Sequence, residues 1–167
     1  MTLPPEDPKL TVLDELEARF DPSNTPLADA PAMHTGWYNY ASGGFQISIS
    51  NFEHSTVDGG LTGITASSGD GHMTKHRAGT GLVNVWGRRE DAKNAGPNGD
   101  DVPVKDAIYE VAREATDVID TTDLSGKWLA TLAVDDGESS TDPESYEDPV
   151  YRYELTVRYA WTSQTSR

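Results

Sequence analysis

Apolar and polar residues alternate most regularly near the end of the chain. Every odd-numbered position from 151 to 161 is Tyr, Leu, Val or Trp, whereas the even-numbered positions from 152 to 158 are Arg, Glu, Thr and Arg. A period of two is typical of a β-strand that buries one face. Weaker alternation predicts four further strands, at 34–40, 45–49, 73–86 and 128–134.

Turn residues and composition refine these predicted strands. Residues 41–44 are Ala-Ser-Gly-Gly, a turn sequence, so the two strands that flank it are predicted to form a β-hairpin. Gly79 and Gly81 predict a bulge or bend in the third strand. Residues 128–134 are apolar at nearly every position, which predicts cover on both faces of that strand.

Apolar residues at spacings of three and four predict two helices. Asp7 followed by Pro8 is typical of a helix N-terminus, and Pro22 ends this first helix. The second helix begins near Pro103 and ends near Asp120. The apolar positions are Leu10, Leu13, Leu16 and Phe20 in the first helix and Val104, Ala107, Ile108, Val111, Ala115, Val118 and Ile119 in the second.

The predicted elements follow the order α-β-β-β-α-β-β in a single domain that spans residues 1–167. Each helix has one apolar stripe and each strand one apolar face. We therefore expect an α+β fold in which both helices pack on one face of a mostly antiparallel sheet of about five strands. Long loops are predicted at 21–33, 54–72, 87–101 and 135–149, and a loose tail at 162–167.

Charge and composition indicate the surroundings in which the protein works, but they do not indicate a reaction. The 167 residues include 28 Asp and Glu against 13 Lys and Arg, a formal net charge of −15. Such a surface is typical of proteins from salt-loving organisms or their viruses, and it repels nucleic-acid phosphate. The chain has no Cys, no signal-peptide pattern and no apolar run near the ~20 residues that span a membrane. We expect a protein made in the host cytoplasm, with no membrane or nucleic-acid partner.

Three groups of residues suggest chemistry, and each has a simpler interpretation. His72 and His76, with His54 upstream, have partial zinc-ligand spacing, but their Gly-rich flanks favour exposed loop histidines. The acidic residues of 135–149 lack the spaced pattern of a calcium loop and favour a solvated charge run. The aromatic residues of 151–161 are a ligand platform or, more simply, core. We therefore expect no catalytic residue, metal or cofactor.

Three segments carry a resemblance to a known family. They are Leu82-Val83-Asn84-Val85-Trp86-Gly87, the helix Val104–Asp120, and the Tyr-Arg-Tyr-Glu-Leu-Thr-Val-Arg-Tyr strand 151–159 that follows an acidic loop. In this order the chain resembles the tail terminator or tail-completion (neck) proteins of long-tailed viruses, and its acidity suggests a virus of a halophilic archaeon. The resemblance covers about the central and C-terminal two-thirds of the chain.

The resemblance implies a structural protein of the virion at the junction of tail and neck. Such proteins form a ring, usually of six subunits, that stops growth of the tail tube and joins it to the head connector. The implied partners are other copies of the chain, the tail tube protein and the head-connector protein. Candidate contact residues are Trp86, Arg88, Arg89, Tyr159 and Trp161. Alternatives are a metal-dependent hydrolase of a halophile, a ligand-binding module, and another tail or neck subunit such as a tube protein.

Overall fold

The computed structural model describes residues 4–56, 64–66, 72–142 and 149–166. Within these residues it has two α-helices, one short 3₁₀ turn at Pro22–Asn24 and six strands. The helices are α1 (Pro8–Arg19) and α2 (Val104–Asp120). The strands are β1 (Ala32–Thr35), β2 (Gln46–Thr56), β3 (Ile64–Ala66), β4 (His72–Gly87), β5 (Leu129–Asp142) and β6 (Val150–Ser166).

All described strands belong to one sheet, in the order β1-β2-β4-β6-β5, and the short β3 pairs with β4. β1 runs parallel to β2, and the other pairs are antiparallel, so the sheet is mixed. The α+β class is therefore confirmed. The predicted order of elements agrees roughly with the structure. The differences are the 3₁₀ turn and the short strand β3, which the sequence does not predict.

α1 has a capped N-terminus, and its C-terminal residue contacts α2. The Asp7 carboxylate accepts a hydrogen bond from Lys9 N at 2.9 Å and caps α1, and Pro8 occupies the first turn. The Arg19 guanidinium at the end of α1 donates to Val118 O at 3.0 Å. This cation lies at the C-terminal end of α2, whose own last turn has no basic residue.

Both helices pack on the same face of the sheet. Apolar side chains of β2, β4 and β6 point to this face and form one core with Val12 and Leu16 of α1 and the apolar stripe of α2. The stripe of α1 differs from the predicted one, since Val12 and Leu16 are buried whereas Leu10 is half-exposed. The sheet residues of the core include Ile47, Ile49, Val83, Val85, Leu155 and Val157.

The predicted hairpin between the first two strands is wrong. β1 and β2 are parallel, with Ala32 opposite Gln46. Segment 36–45 therefore crosses over the sheet before β2 begins, on the face opposite the helices. The turn at 41–44 is present, and Gly43 and Gly44 adopt positive φ angles of 61° and 74°. Alternation predicts a strand but not its direction, and here the crossover decides the direction.

The irregularity predicted as a bulge or bend at Gly79 and Gly81 occurs on the neighbouring strand, opposite Gly81. Pairing of β4 with β6 continues without a register shift, and the irregularity lies in β2 between Ser50 and Glu53. Gly79 and Gly81 of β4 make room for aromatic rings. An ideal Cβ on Gly81 would lie 2.1 Å from the ring of Phe52, and one on Gly79 would lie 2.4 Å from Tyr159.

Several predicted loops are strand for part of their length. In the predicted loop 54–72, β2 continues to Thr56 and β3 occupies Ile64–Ala66, while residues 57–63 and 67–71 lie outside the described residues. In the predicted loop 135–149, β5 continues to Asp142, and residues 143–148 are not described. The predicted tail is strand to Ser166, because β6 pairs with β4 as far as His72.

The predicted cover on both faces of β5 is wrong as well. β5 is the edge strand next to β6, and Ala130, Thr131 and Ala133 are exposed. Leu129 and Leu132 are buried in the core. Its apolar composition therefore reflects small residues on an open face and large ones on a covered face.

Candidate interaction surface

The face of the sheet that carries no helix holds a buried polar row. Asn84 of β4 lies opposite Ser48 of β2 on one side and Glu154 of β6 on the other. Its side-chain amide donates to Ser50 Oγ at 3.2 Å. Gln46 and Ser48 are fully buried although they point away from the core. Burial of polar groups on this face requires a cover, and segment 36–45 supplies it.

Trp86 is the centre of that cover. Its side chain is fully buried and forms a small second core with Tyr38 and Val150. Its ring centroid lies 5.5 Å from that of Tyr38 and 4.8 Å from that of Trp37, which meets it edge-on. Its indole N–H donates to Ser48 Oγ at 2.8 Å. The segment is thus held on the sheet by aromatic packing around a satisfied indole.

Arg152 of β6 completes this cluster. The central carbon of its guanidinium lies 4.6 Å from the ring centroid of Trp37 and 5.2 Å from that of Trp86. Two of its nitrogens donate to Asn84 Oδ1, at 2.9 and 2.6 Å, and the group pairs with Glu154. The hydrogen bonds to Asn84 and the contacts with both rings fix the orientation of the planar guanidinium. Arg152 therefore supports the Trp37 ring from the side of the sheet.

Two side chains tie the rest of the segment down. Gln46 accepts a hydrogen bond from Asn39 N at 2.9 Å and donates to Asn39 O at 2.8 Å. Asp91, in the loop after β4, accepts from Gly44 N at 2.8 Å and from Arg88 N at 2.9 Å. The crossover is therefore held to the sheet at Asn39 and to the loop after β4 at Gly44.

The outer surface of the segment is aromatic. Trp37 and Tyr40 are about half exposed, and the Tyr40 ring packs edge-on against Tyr38 at 4.7 Å. On the loop after β4, the Arg88 guanidinium lies 6.0 Å from the Tyr38 ring centroid and pairs with Asp91 at 3.6 Å, and Arg89 is exposed. We call the exposed surface formed by Trp37 and Tyr40 the aromatic patch.

A groove lies on the opposite face, between α2 and the edge strand β5. Its volume is about 380 Å³ and its apolar lining comes from Tyr109, Ala112, Val134, Tyr153 and Leu155. The rings of Tyr109 and Tyr153 meet edge-on at 5.8 Å, and Tyr109 is half-exposed. We call these five residues the tyrosine groove. Asp117, Asp135 and Asp136 also line it, and Asp135 pairs with Arg158 at 2.8 Å.

The structure separates the predicted contact residues into two groups. Trp86, Tyr159 and Trp161 are each at most 1% exposed, so their side chains belong to the interior of this chain. The Tyr159 hydroxyl donates to Glu53 O at 3.2 Å, and burial raises the pKa of Tyr159 to about 12. Arg88 is partly exposed and Arg89 is exposed, on the loop that follows β4. Whether they contact another subunit stays a prediction.

The described histidines do not share one face. His54 pairs with Gly79 of β4, and its ring meets Trp161 on the helix-covered side. His76 lies three residues from Gly79, which puts it on the other face of the sheet. His34 lies beside Gln46 Oε1, with its Nε2 at 3.0 Å. Among the residues that the structure describes, no group of three or more His, Cys, Asp or Glu side chains is placed to hold a metal ion.

Sequence reasoning missed Trp37, Tyr40 and Arg152. The run Trp37-Tyr38-Asn39-Tyr40 was a usable signal, because three aromatic residues in four positions are unusual in a chain of 14 aromatic residues. The predicted strand 34–40 includes this run, whereas in the structure it belongs to the crossover. Arg152 gave no local signal, since its partner Asn84 is 68 residues away.

Neither described helix is long and apolar enough to cross a membrane. Comparison of the sequence with models of known protein families finds no match, and comparison with curated proteins finds none either.

Proposed function

We propose that this protein is a structural subunit of a virus particle, a tail terminator or tail-completion protein that forms a ring between the tail tube and the head connector. Its partners in this role are further copies of the chain, the tube protein and the connector protein. The acidic surface favours a virus whose host lives in high salt.

The order of elements supports the proposal. The structure has the three elements that carry the resemblance, in the same order along the chain: the β4 strand with its Val-Asn-Val-Trp segment, the helix Val104–Asp120 and the long strand Val150–Ser166. They form adjacent parts of one fold, since α2 packs on β4, β5 and β6. A small α+β domain of this kind suits a ring subunit, although the same architecture also serves other functions.

One observation carries most of the argument. Both helices cover one face of the sheet, and half-exposed aromatic residues stand on the other face, held in place by a buried polar cluster. Trp, Tyr and Arg are the residues most enriched at the centres of protein interfaces. Surface aromatics with fixed positions lose little conformational entropy on association. A subunit that works by contact with other proteins needs such a surface.

The net charge predicts how such subunits associate. At −15 per chain, copies repel one another in dilute salt, and the repulsion falls as the Debye length shrinks from ~10 Å at 0.1 M to ~3 Å at 1 M salt. The proposed ring should therefore form in concentrated KCl and dissociate on dilution.

Electron microscopy of the purified protein, with sedimentation velocity at low and high KCl, tests the proposal. We expect closed rings at high salt and single chains at low salt. Addition of the tube protein should place rings at tube ends. Single chains at every concentration and salt level would refute the ring function, and long filaments of the protein alone would indicate a tube subunit instead.

A further inference from the structure

We infer that Asp136 and Gly137 form a site of spontaneous backbone isomerisation, at which the carboxyl group of Asp136 and the amide of Gly137 close a succinimide ring in the folded protein. The two residues lie on the edge strand β5, at the end of a shift in its register with β6. Such a site requires only water, so the inference is independent of the proposed function.

The two reacting groups are in contact. The Gly137 N–H donates to Oδ1 of Asp136 at 2.8 Å. This hydrogen bond holds the amide nitrogen beside the carboxyl carbon of Asp136, and these are the two atoms that ring closure joins. Groups that are held together react faster than groups that must first meet, because the entropy of bringing them together is already lost. The folded chain therefore presents both reactants in one place.

The surrounding backbone leaves room for the reaction. The register of β5 against β6 shifts between Val134 and Asp136, and such a β-bulge interrupts the regular ladder. β5 is the last strand on its side of the described sheet, so β6 is the strand that restrains it there. Asp136 and Gly137 are both exposed, which gives water access to the ring.

Packing explains the glycine at position 137. An ideal Cβ there would lie 2.8 Å from the Tyr153 ring, beside the tyrosine groove. A glycine amide is also the least hindered nucleophile of the backbone, because no side chain stands beside its nitrogen. The residue that packing requires is thus the one that reacts most readily. Asp58 and Asp70 also precede glycine, but they lie outside the described residues.

The reaction is a loss and regain of one water molecule. The Gly137 nitrogen gives up its proton and bonds to Cγ of the protonated Asp136 carboxyl, while the Cγ–OH bond breaks and the hydroxyl leaves with that proton as water. A second water then adds to one of the two ring carbonyls and breaks the bond between that carbon and the nitrogen. Attack at Cγ restores aspartate, and attack at the main-chain carbonyl carbon leaves isoaspartate.

Isoaspartate alters the strand that follows it. The peptide link then runs through Cγ and lengthens the main chain by one carbon atom. The pairs from Gly137 opposite Leu155 to Asp142 opposite Val150 all lie beyond this link. Side-chain direction alternates at every residue, so a displaced backbone does not fit the former register. We expect faster amide hydrogen exchange at residues 137–142 in the modified chain.

Incubation in water labelled with heavy oxygen tests the inference, because opening of the ring leaves one solvent oxygen in the free carboxylate of the product. The folded protein is incubated in mildly acidic buffer, in which more carboxyl groups carry the proton. It is then digested and sequenced by mass spectrometry that distinguishes isoaspartate. A second sample is unfolded in urea at the same pH and salt. We expect label and isoaspartate at position 136, accumulating in the folded protein at least as fast as in the unfolded one.

Asp136→Glu keeps the charge but needs a larger ring, which closes more slowly, so it should remove both signals. Asp135→Glu is the matched control, because Asp135 is also exposed but does not precede glycine, and it should retain them. Asp136→Asn closes the same ring with loss of ammonia and should acquire the label as well. Circular dichroism checks that each variant is folded. A folded protein that gains no label at Asp136, or gains it more slowly than the unfolded chain, would overturn the inference, as would label at that position in Asp136→Glu.

Discussion

The ring of Tyr159 lies directly against the backbone of Gly79, its partner on the neighbouring strand. An ideal Cβ on Gly79 would lie 2.4 Å from both Cζ and the hydroxyl oxygen of Tyr159, and 2.4 Å from Glu53 O. Because Gly79 has no side chain, the Tyr159 ring of the neighbouring strand fills the space beside its backbone.

Gly79→Ala should accordingly destabilise the protein. Overpacking of a filled site costs ~1–3 kcal/mol, and the backbone oxygen of Glu53 leaves no flexible group to move aside. Urea unfolding measures the loss in free energy of unfolding. Thr80→Ala, an exposed neighbour on the other face of β4, is the control and should change little. A Gly79→Ala protein as stable as the wild type would contradict the packing described.

Glu114 should contribute to stability through hydrogen bonds. It is buried on α2, where its two carboxylate oxygens accept from Asp21 N at 3.2 Å and from Asn24 Nδ2 at 3.0 Å. Glu114→Ala leaves both donors without an acceptor and should cost ~2–3 kcal/mol, whereas Glu114→Gln keeps one acceptor and should cost less. Glu110→Ala, one turn earlier and partly exposed, is the control in the same unfolding assay.

Arg152 should not be replaceable by lysine. A lysine keeps the charge but loses both the paired donation to Asn84 Oδ1 and the planar contact with Trp37 and Trp86. We expect Arg152→Lys to lower the free energy of unfolding by ~1–2 kcal/mol, a range set by charged hydrogen bonds and cation–π contacts. Arg113→Lys, a largely exposed arginine, is the control. Equal stabilities of these two variants would show that the paired donation to Asn84 and the planar contact with Trp37 and Trp86 add nothing to stability.

Glu15 should make the stability of the helix pair depend on pH. Its hydrogen bond with Lys127, and then that with Arg19, hold the pKa of its carboxyl below the ordinary value of 4.5. A depressed folded-state pKa adds stability that is present above pH 4.5 and is lost as the pH falls through the folded value. The advantage of wild type over Glu15→Gln should be ~0.2–1 kcal/mol at pH 7 and vanish in acid. An advantage that grows in acid would contradict this assignment.

The strongest sequence patterns correctly predicted the elements that bury one regular apolar face. The stripe of Val104–Asp120 and the alternation of residues 151–161 each report burial against one neighbour. Periodicity alone therefore identified α2 and the apolar face of β6. It failed where the partner is remote. The polar residues 135–142 form a strand because β6 pairs with them, and no local pattern distinguishes them from a loop.

The helix-free face was the least predictable part of the molecule. Its organisation depends on the crossover 36–45, and that path is set by contacts with Trp86 and Arg152 that are far away in sequence. The sequence makes Trp86, Tyr159 and Trp161 candidate contact residues because aromatic residues are common at interfaces, but aromatic residues also fill cores. Only the fold decides which of the two applies.

The isolated chain should itself gain stability from salt, independently of any assembly. The charge of −15 is spread over a small domain, so unfolding separates like charges and relieves repulsion. Between 0.1 and 1 M KCl the Debye length falls from ~10 to ~3 Å, and the repulsion is screened. The midpoint of urea unfolding should therefore rise with KCl at protein concentrations at which only single chains are present.

A charge-reduced variant separates this screening from general salting-out. Glu17 and Glu138 are exposed on α1 and on the edge strand β5. Glu17→Gln with Glu138→Gln removes two negative charges and leaves the apolar surface unchanged. Its stability should exceed that of the wild type at low salt and approach it at 1 M KCl. Parallel salt dependences for the two proteins would show that the effect of KCl comes from burial of apolar surface rather than from charge.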